Sequence, residues 1–567
     1  MPNPTAAAAV MTLGLVLVLC AASAAGAQAP HGEDAADLIL RHGRFYPVAP
    51  PGAVEGSLAV RGGRIVYLGP DAGAAALAGP DTEVVELDGR AVTPGLIDAH
   101  SHLVSLGAAL EQVDLVGTAS YDEVIARIAA AAAELPAGTW VLGRGWDQND
   151  WPEKSFPHHR ALSAAVPGNP VWVGRIDGHA ALLNARALEA LEIDAAIADP
   201  PGGRFLRDEA GEPTGVLIDR AMGLVRGRVP PPTPAELERR IRRAGAHCVE
   251  RGLTTVTDMG VDDEELAAYR ALAEAGGLPL RVAAFLDDDA ELHARWFARG
   301  PLTDGGGRWT VRGVKLYADG ALGSRGAALV EPYSDDQGNL GLLTSSADHL
   351  RSVAEQARAA GFQVAIHAIG DRGNLVALDA LEAALGGPRP EVRWRIEHAQ
   401  VMRLQDVERM ARLGVIASMQ PTHATSDMPW AGDRVGERRL AGAYAWRQVL
   451  DAGGRLALGS DFPVESADPR LGLYAAVTRQ DLDGEPAGGW LPGELLEREE
   501  ALRGFTLDAA WALFLDREIG SLEPGKRADL VVWGRDPMTV PAAEIAAAEI
   551  DLVVLDGALV HRREGAQ

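Results

Sequence analysis

Residues 92–103 read VTPGLIDAHSHL, a short apolar run that ends in two histidines. The run is long enough for a buried strand, and His100 and His102 are two residues apart, so both would point to the same side of that strand. Four later apolar runs also end in one residue that can bind metal. These residues are Lys315 in VRGVKLYADG, His367 in FQVAIHAIGD, His398 in VRWRIEHAQ and Asp461 in RLALGSDFPV. This order is expected where the strand ends of a parallel barrel hold a metal ion.

Apolar runs of strand length recur eight times in the middle of the chain. We predict strands at residues 96–100, 254–259, 280–285, 311–317, 362–367, 393–398, 415–420 and 456–461. Helical patterns separate many of them: Thr233-Pro234-Ala235-Glu236 is a capping box with proline at the first helical position, and a helix capped near 345–348 should end at Gly361. This alternation predicts an α/β fold, a (β/α)8 TIM barrel over residues 96–515.

Both ends of the chain carry short strand patterns separated by glycine turns. They occur at residues 37–40, 56–60, 64–68, 526–533 and 551–557. We predict one small β-sandwich domain that is built from residues 30–95 and 516–567. The alternative is two separate edge hairpins, which would be only marginally stable alone.

One region, at about residues 136–232, does not belong to the eight strands and connecting helices that are predicted for the barrel. It lies between the first two barrel strands, is far too long for a loop, and contains strand-like runs at 140–143 and 171–176. We therefore predict an inserted subdomain after the first barrel strand, placed over the barrel mouth.

The bulk composition is that of a soluble globular protein, with 47% hydrophobic and 23% charged residues in a chain of 567. The formal net charge is −26, which argues against nucleic acid as a partner and against docking on an anionic membrane. A small molecule is the expected partner. The oligomeric state is left open.

The first 29 residues have the pattern of a secretory signal peptide. An apolar block at residues 13–20, too short to span a bilayer, is followed by small residues, and cleavage is favoured after Ala27. We expect export to the periplasm or the extracellular space. Cys20 ends a stretch that resembles a lipoprotein box, but Leu19 is too large beside it, so lipid anchoring stays open. Cleavage would leave Cys248 as a lone cysteine, which excludes an internal disulfide.

Most of the candidate metal ligands have an ordinary structural alternative. His100 and His102 could be surface histidines in a turn. His367 and His398 could each be a core histidine, and Asp461 could cap the turn formed by Asp-Phe-Pro. Chance does not easily explain why all these residues occur at the ends of successive apolar runs.

Lys315 lies inside an apolar run, where its ammonium group could simply reach outwards to solvent. The chemical alternative is that a lysine amine with a lowered pKa takes up CO2 and becomes a carbamate. A carbamate is an oxygen ligand that can bridge two divalent ions, whose charge it helps to balance.

The chain resembles the amidohydrolase superfamily, and in particular its YtcJ-like branch of the amidohydrolase 3 type, over nearly the whole expected mature chain. The resemblance is carried by TPGLIDAHSHL, GRGWDQNDW, VKLYADGALGSR, AIHAIGDRGN, RIEHAQ, LGSDFPV and EPGKRADLVVW. It implies one or two divalent ions, with Zn2+ expected, and a Lys315 that is carbamylated where two ions bind. The implied ligands are His100, His102 and Asp461 for a deeper ion, His367 and His398 for an outer one, and Lys315 as the bridge.

The resemblance also implies an enzyme that hydrolyses non-peptide C–N bonds in a small amide or N-acyl substrate. A metal-activated hydroxide would attack the carbonyl carbon. Asp461 would then take the proton of the water and pass it to the leaving nitrogen.

Ring opening of a cyclic amide, deamination and ester hydrolysis are alternatives on the same site. A single-metal deaminase would lack Lys315 and would carry a helix-borne glutamate near the third histidine, but His367 is followed by Ala-Ile-Gly-Asp. An exported, non-catalytic binding protein is the alternative of another class. Such a protein is expected to have lost a ligand, whereas all six positions hold suitable residues.

Several side chains near the barrel mouth are candidates for substrate binding. They are Trp146, Asp147 and His179 of the inserted region, together with Arg325, Gln420 and His423. Trp430 could act as a lid residue, and Asp371 and Glu397 could orient neighbouring ligands. For the residues of the inserted region, the alternative is that they only hold that subdomain together. Arg325 could bind a carboxylate of the substrate or equally form a structural ion pair.

Overall fold

The computed structural model describes residues 34–226 and 231–565. The expected signal peptide and Cys20 lie outside these residues. Within the described parts of the chain, no helix is long and apolar enough to cross a membrane.

The barrel that the sequence predicts is confirmed. Its eight strands pair in parallel, each with the next along the chain. They are Leu96–Ser101, Leu253–Val261, Arg281–Leu286, Trp309–Tyr317, Gln363–Ala368, Arg395–His398, Ile416–Met419 and Leu456–Leu458. The first and last strands meet at their carboxyl ends, where Asp461 N donates to His100 O and His102 N donates to Phe462 O, each at 2.8 Å. This end of the barrel therefore brings residues from both ends of the strand order together.

Helices follow each barrel strand. They are Leu103–Ala109, Pro234–Val249, Asp263–Glu274, Ala290–Arg299, Ala347–Ala360, Asp371–Leu385, Leu404–Leu413, Pro421–Asp427, Ala431–Leu440, Trp446–Asp451, Pro469–Thr478, Arg498–Gly504 and Leu507–Ala512. The predicted capping box is present, because the Thr233 hydroxyl accepts from Glu236 N and the Glu236 carboxylate accepts from Thr233 N. The helix expected to end at Gly361 does so, with that glycine in the left-handed region at φ 79°. Apolar faces of most of these helices and the outer faces of the strands share one large core. Helix Leu507–Ala512 instead packs in a second cluster that includes Ile97, Ala365 and Ile416 of the barrel strands.

The two ends of the chain form one sheet of eight strands rather than two hairpins. The strands are Leu38–Phe45, Val54–Arg61, Arg64–Gly69, Glu83–Glu86, Ala91–Pro94, Leu530–Trp533, Ile550–Leu555 and Ala558–Arg562. Ala91–Pro94 pairs antiparallel with Leu530–Trp533 and joins the two halves. Ile65 N also donates to Lys526 O at 2.9 Å, so the N-terminal strands contact the C-terminal segment again, over one shared apolar core.

The inserted region contains a six-stranded mixed sheet. Its strands are Val113–Asp114, Val141–Trp146, Val171–Arg175, Ala180–Leu183, Gly203–Arg207 and Pro213–Asp219. The sheet thus begins at Val113, ahead of the expected start at about 136. Helix Tyr121–Ala133 belongs to the same unit, because its Val124 and Ile128 pack into the core of this sheet. A strand of two residues has no periodicity that the sequence could reveal.

Candidate metal centre

His100 is held from behind by a buried polar network. Its Nδ1 lies 2.5 Å from Glu397 Oε2, and the two side chains are fully buried. Arg395 donates from Nε to Glu397 Oε1 at 2.5 Å and from Nη2 to Ser418 Oγ at 2.7 Å. Burial acts to raise the pKa of Glu397, but the charges of Arg395 and His100 outweigh it and hold that pKa well below its usual range. An ionised Glu397 fixes the imidazole and turns its Nε2 towards the barrel axis.

Three side chains around that nitrogen form a candidate metal site. One ligand atom each of His100, His398 and Asp461 lies within 4.8 Å of the others, and all three residues are buried. Asp461 Oδ1 is 3.4 Å from His100 Nε2 and 3.2 Å from His102 Nε2. This oxygen is buried and has no hydrogen-bond donor among the described residues. A buried carboxylate oxygen that faces histidine nitrogens and lacks a donor fits a divalent cation.

His102 and His398, like His100, each have their Nδ1 atom held by an oxygen that lies away from the candidate metal site. His102 Nδ1 lies 2.9 Å from Met259 O, and His398 Nδ1 lies 2.8 Å from Gln420 Oε1. Each of these contacts favours a proton on Nδ1 and leaves Nε2 free to bind metal.

Lys315 and His367 complete the set of six predicted ligand positions. Lys315 Nζ is 3.5 Å from His100 Nε2, and the residue is 1% exposed. Burial lowers the pKa of Lys315 to about 8. The ring centroid of His367 is 4.6 Å from that of His398, which in turn is 4.6 Å from that of His100. The structure therefore brings all six side chains to one end of the barrel.

A cavity of about 780 Å³ opens over these residues. Its walls come from the barrel loops and from the inserted sheet, whose Asp147 and His179 line it together with His423 and Trp430. The inserted region thus forms one side of the pocket in which a substrate would meet the metal ligands.

Comparison with protein families matches residues 83–561 of this chain to the amidohydrolase family. The chain belongs to the amidohydrolase family. This confirms the resemblance that the sequence motifs indicate.

The amidohydrolase is similar to proteins from plants and bacteria. It is 35% identical over 529 residues to Protein LONG AFTER FAR-RED 3 of Arabidopsis thaliana, covering 90% of each chain. It is 32% identical over 493 residues to the putative amidohydrolase YtcJ of Bacillus subtilis, covering 85% of this chain and 91% of that one. It is also 29% identical over 552 residues to the N-substituted formamide deformylase of Arthrobacter pascens, covering 93% and 99%.

Among solved structures, the amidohydrolase is similar to an uncharacterised metal-dependent hydrolase from Pyrococcus horikoshii. The two are 32% identical with a TM-score of 0.73, and the match covers 89% of this chain and 99% of that one. The similarity supports a metal-dependent hydrolase.

Three predicted substrate residues of the amidohydrolase do not line the cavity. Trp146 is fully buried in the core of the inserted sheet, where its Nε1 donates to Val173 O at 2.9 Å. Arg325 is engaged by Asp335, to which its Nη2 donates at 2.9 Å. Gln420 uses its Oε1 on His398, so it holds a candidate ligand rather than the substrate.

Of the two residues that were expected to orient ligands, only Glu397 contacts one. Glu397 contacts His100 as expected. Asp371 contacts none of the six candidate ligands, and its Oδ1 instead accepts from Val330 N at 2.8 Å, which anchors the loop after the fourth barrel strand.

Sequence reasoning missed the partner of His179. His179 Nδ1 lies 2.7 Å from Asp219 Oδ1, 40 residues further along the chain. Burial acts to lower the pKa of His179, but the Asp219 carboxylate outweighs it and raises this pKa to about 9. Asp219 ends a strand that has no local signal for function, so only the folded sheet reveals the pair.

Two carboxylates that line the cavity were also missed. Glu465 and Asp427 line the cavity, and burial raises their pKa values to about 8 and about 7. Asp427 accepts hydrogen bonds from Tyr444 Oη at 2.6 Å and from Gln400, which are neutral donors. Nothing in the sequence around either carboxylate distinguishes it from a surface residue.

Proposed function

We propose that this amidohydrolase hydrolyses a non-peptide C–N bond in a small amide or N-acyl compound, with Zn2+ as its metal. The observation that carries the proposal is Asp461 Oδ1, which is buried, lacks a hydrogen-bond donor among the described residues, and faces His100 and His102 at 3.4 and 3.2 Å. A carboxylate in this position is suited both to binding a cation and to moving a proton.

The six converging side chains would hold one or two divalent ions, the second with Lys315 as a carbamylated bridge. When bound, such an ion acts as a Lewis acid and lowers the pKa of a coordinated water to about 7. The histidines are pre-oriented for this role, because Glu397, Met259 O and Gln420 hold the nitrogens that face away from the site.

Asp461 is proposed as the proton carrier. Burial acts to raise the pKa of Asp461, but the neighbouring His100 outweighs it and holds this pKa well below its usual range, so the resting carboxylate is ionised. The oxygen of the attacking water bonds to the carbonyl carbon while its proton moves to the Asp461 carboxylate. The same proton then moves to the leaving nitrogen as the C–N bond breaks, which releases a carboxylic acid and an amine.

The amide class of substrate is supported by the likeness to the N-substituted formamide deformylase of Arthrobacter pascens, which spans 93% of this chain. Asp147, His179 and His423 line the cavity and are proposed to contact the substrate. The size of the cavity, about 780 Å³, suits a small molecule rather than a polymer.

A substrate panel tests the proposal. Zinc-loaded protein is assayed against N-substituted formamides, N-acyl amino acids, hydantoin-like rings and aryl esters, with chelator-treated protein as the control. We expect turnover of at least one open-chain amide, which the chelator abolishes and Zn2+ restores. If only the rings or only the esters were turned over, the substrate class would be cyclic amides or esters instead of open-chain amides. Zinc-replete protein that turns over no compound would favour a non-catalytic binding protein.

A further inference from the structure

One arginine on the cavity wall has no carboxylate partner. Arg144 belongs to the strand Val141–Trp146 of the inserted sheet, lines the cavity and is partly buried. Its Nη1 donates to Pro463 O, and its Nη2 donates to Ile176 O at 2.6 Å. Among the described residues it forms no ion pair. A guanidinium has five N–H donors, so the Nε–H and one hydrogen on each Nη have no acceptor in the described parts of the chain.

The other arginine of the cavity, Arg175, is fully paired. It donates from Nη1 to Asp177 Oδ2 at 2.6 Å, from Nη2 to Asp147 Oδ1 and from Nε to Gln148 Oε1 at 2.8 Å. Burial acts to lower the pKa of Arg175, but the two carboxylates outweigh it and raise this pKa. Burial lowers the pKa of Arg144 to about 10, because no carboxylate contacts it. Arg144 is therefore still a cation at neutral pH, and its charge is not balanced by direct contact with an anion.

The carboxylates around Arg144 are directed towards other groups. Those that act on it from a distance are Asp461, Asp177 and Asp114. Asp177 accepts from Arg175, and Asp461 faces His100 at 3.4 Å. Asp114 Oδ1 accepts from Val116 N at 3.0 Å. The fold thus leaves the guanidinium of Arg144 open to an anion that enters the cavity.

A β-bulge turns Arg144 towards the cavity. In a regular strand, residues 144 and 146 would point to the same side. The pairing with the strand Val171–Arg175 shifts between Arg144 and Trp146, and Gly145 between them has a positive φ of 107°. Bulges of this kind change the direction of a side chain and are frequent beside active sites. Trp146 consequently packs in the core of the inserted sheet, whereas Arg144 lines the cavity.

Arg144 lies close to the candidate metal ligands. Pro463, whose carbonyl accepts from Arg144, comes two residues after Asp461. Two residues of extended chain span at most about 7 Å, which is within the length of a small molecule. One bound compound can therefore place an amide carbonyl at the candidate metal site and a second polar group at Arg144.

We propose that Arg144 determines specificity by binding a carboxylate of the substrate, so that the preferred substrates are amides with a carboxylate near the scissile C–N bond. The proposal rests on the hydrolytic function proposed above and names the substrate class of the same site. The planar N–H groups of a guanidinium match the two oxygens of a carboxylate. The sequence suggests this role for Arg325, but Asp335 engages that side chain instead.

Two pairs of achiral compounds test the proposal. The pairs are N-benzoylglycine with N-benzoylethanolamine, and N-acetylglycine with N-acetylethanolamine. In each pair a hydroxymethyl group replaces the carboxylate and little else changes. By calorimetry on zinc-loaded wild-type protein, we expect the acid of at least one pair to bind 10-fold or more tightly than its neutral partner. Equal binding within both pairs, including no binding of any compound, would overturn the proposal.

Arg144→Met should abolish this preference. Loss of charge-assisted hydrogen bonds is expected to weaken binding of the acid by about 10–100-fold. Binding of the neutral partner should stay as in the wild type, which shows that the variant keeps its pocket. If both compounds bound more weakly by the same factor, Arg144 would only support the structure. If the preference for the acid survived, the carboxylate would be bound elsewhere, for example by the metal. Either result would overturn the proposal.

Two further variants complete the series. Arg144→Lys keeps the positive charge without the planar guanidinium, so we expect a preference between those of Arg144→Met and the wild type. A preference in Arg144→Lys as small as that in Arg144→Met would exclude charge as the basis of recognition. Arg160→Met is the matched control, because Arg160 belongs to the same inserted region, donates to Asp208 at 2.8 Å and does not line the cavity. It should bind all four compounds as the wild type does.

Calorimetry needs no turnover, so it separates this inference from the proposed function. Protein that hydrolyses no amide but shows the Arg144-dependent preference would refute the hydrolytic function and support the carboxylate site. Where amides are turned over, Arg144→Met should raise KM for a carboxylate-bearing substrate by about 10–100-fold with little change in kcat. Turnover of neutral amides alone, or a fall in kcat with an unchanged KM, would overturn the proposal.

Discussion

His100 Nδ1 lies 2.5 Å from Glu397 Oε2, and this contact joins the first and sixth strands of the barrel inside its core. Arg395 donates to the same carboxylate and to Ala99 O, one residue before His100. The side chain and the main chain of the first barrel strand are therefore fixed by one network. His100 can hold its orientation before any metal arrives.

Replacing Glu397 by Gln should weaken metal binding by about 10–100-fold, because the imidazole loses the charge that orients it. The buried guanidinium of Arg395 loses its counter-charge as well, so we expect a loss of about 3–5 kcal/mol in the free energy of unfolding. Metal affinity by competition with a chelator and denaturant unfolding measure the two effects.

Asp371→Asn is the matched control for this prediction. Asp371 is a buried carboxylate near the same end of the barrel, but it accepts from Val330 N and contacts no candidate ligand. Its variant should bind metal as the wild type does. If Glu397→Gln lost stability alone and kept its metal affinity, the orienting role of Glu397 would be refuted.

Asp461→Asn should retain metal but lose most turnover. The amide oxygen of asparagine can still face the cation, whereas the amide cannot accept and return a proton. General acid–base groups typically contribute about 10²–10⁴-fold, which is the expected fall in kcat. Metal content and kcat are measured on the same preparation, and a variant with full metal and unchanged turnover would exclude Asp461 as the proton carrier.

Lys315 should take up CO2. Burial lowers the pKa of Lys315 to about 8, so near that pH about half of the amine is neutral and able to attack CO2. In protein loaded with Zn2+ and ¹³C-labelled bicarbonate, we expect a carbamate signal by ¹³C NMR that is absent from Lys315→Ala. Lys526 is also buried but donates to Ser521 Oγ and lies 3.0 Å from Glu523, so Lys526→Arg should keep the signal. A signal that survives in Lys315→Ala would contradict the assignment.

Trp146 and Trp430 should behave differently when each is replaced by Phe. Trp146 lies in the core of the inserted sheet, so Trp146→Phe should lower the thermal unfolding midpoint and leave KM unchanged, since Val173 O loses its donor. Trp430 lines the cavity, so Trp430→Phe should change KM with a smaller effect on stability. Trp146→Ala should cost about 3–5 kcal/mol. A raised KM in Trp146→Phe would place that residue at the substrate after all.

Asp556 should make the free energy of unfolding depend on pH in the acidic range. Burial acts to raise its pKa, but Arg281, Arg308 and Arg527 outweigh it and lower that pKa below the usual value. A lowered pKa in the folded state means that the stabilisation is present above the unfolded-state pKa of about 4 and is lost as the pH falls through the folded-state value. Two of these contacts join the barrel to the terminal sheet, namely Arg281 Nη2 to Asp556 Oδ1 at 2.9 Å and Arg308 Nε to Asp556 Oδ2 at 2.5 Å.

We expect Asp556→Asn to cost about 1–3 kcal/mol at neutral pH. The difference from the wild type should be constant between pH 7 and pH 5 and should shrink below about pH 4. Unfolding midpoints at several pH values measure it. If the difference in stability between the variant and the wild type grew on acidification, the lowered pKa of Asp556 in the folded state would be contradicted.

The barrel and the positions of the candidate ligands could be predicted from the sequence because both follow from local patterns. A barrel strand of three to nine residues buries a continuous apolar run, and the residue after the run lies at the carboxyl end of the strand, where parallel strands meet. His100, Lys315, His367, His398 and Asp461 follow this rule, and the structure brings them together with His102.

Only the tertiary structure decided which side chains of the inserted region face the pocket. Trp146 and Asp147 are neighbours in sequence, yet Trp146 packs in the core of the inserted sheet and Asp147 lines the cavity. Local periodicity places residues on opposite faces of a strand but does not say which face meets a core. His179 and Asp219 are 40 residues apart in sequence and meet only because the strands of the inserted sheet pair as they do. No local sequence pattern predicts that pairing.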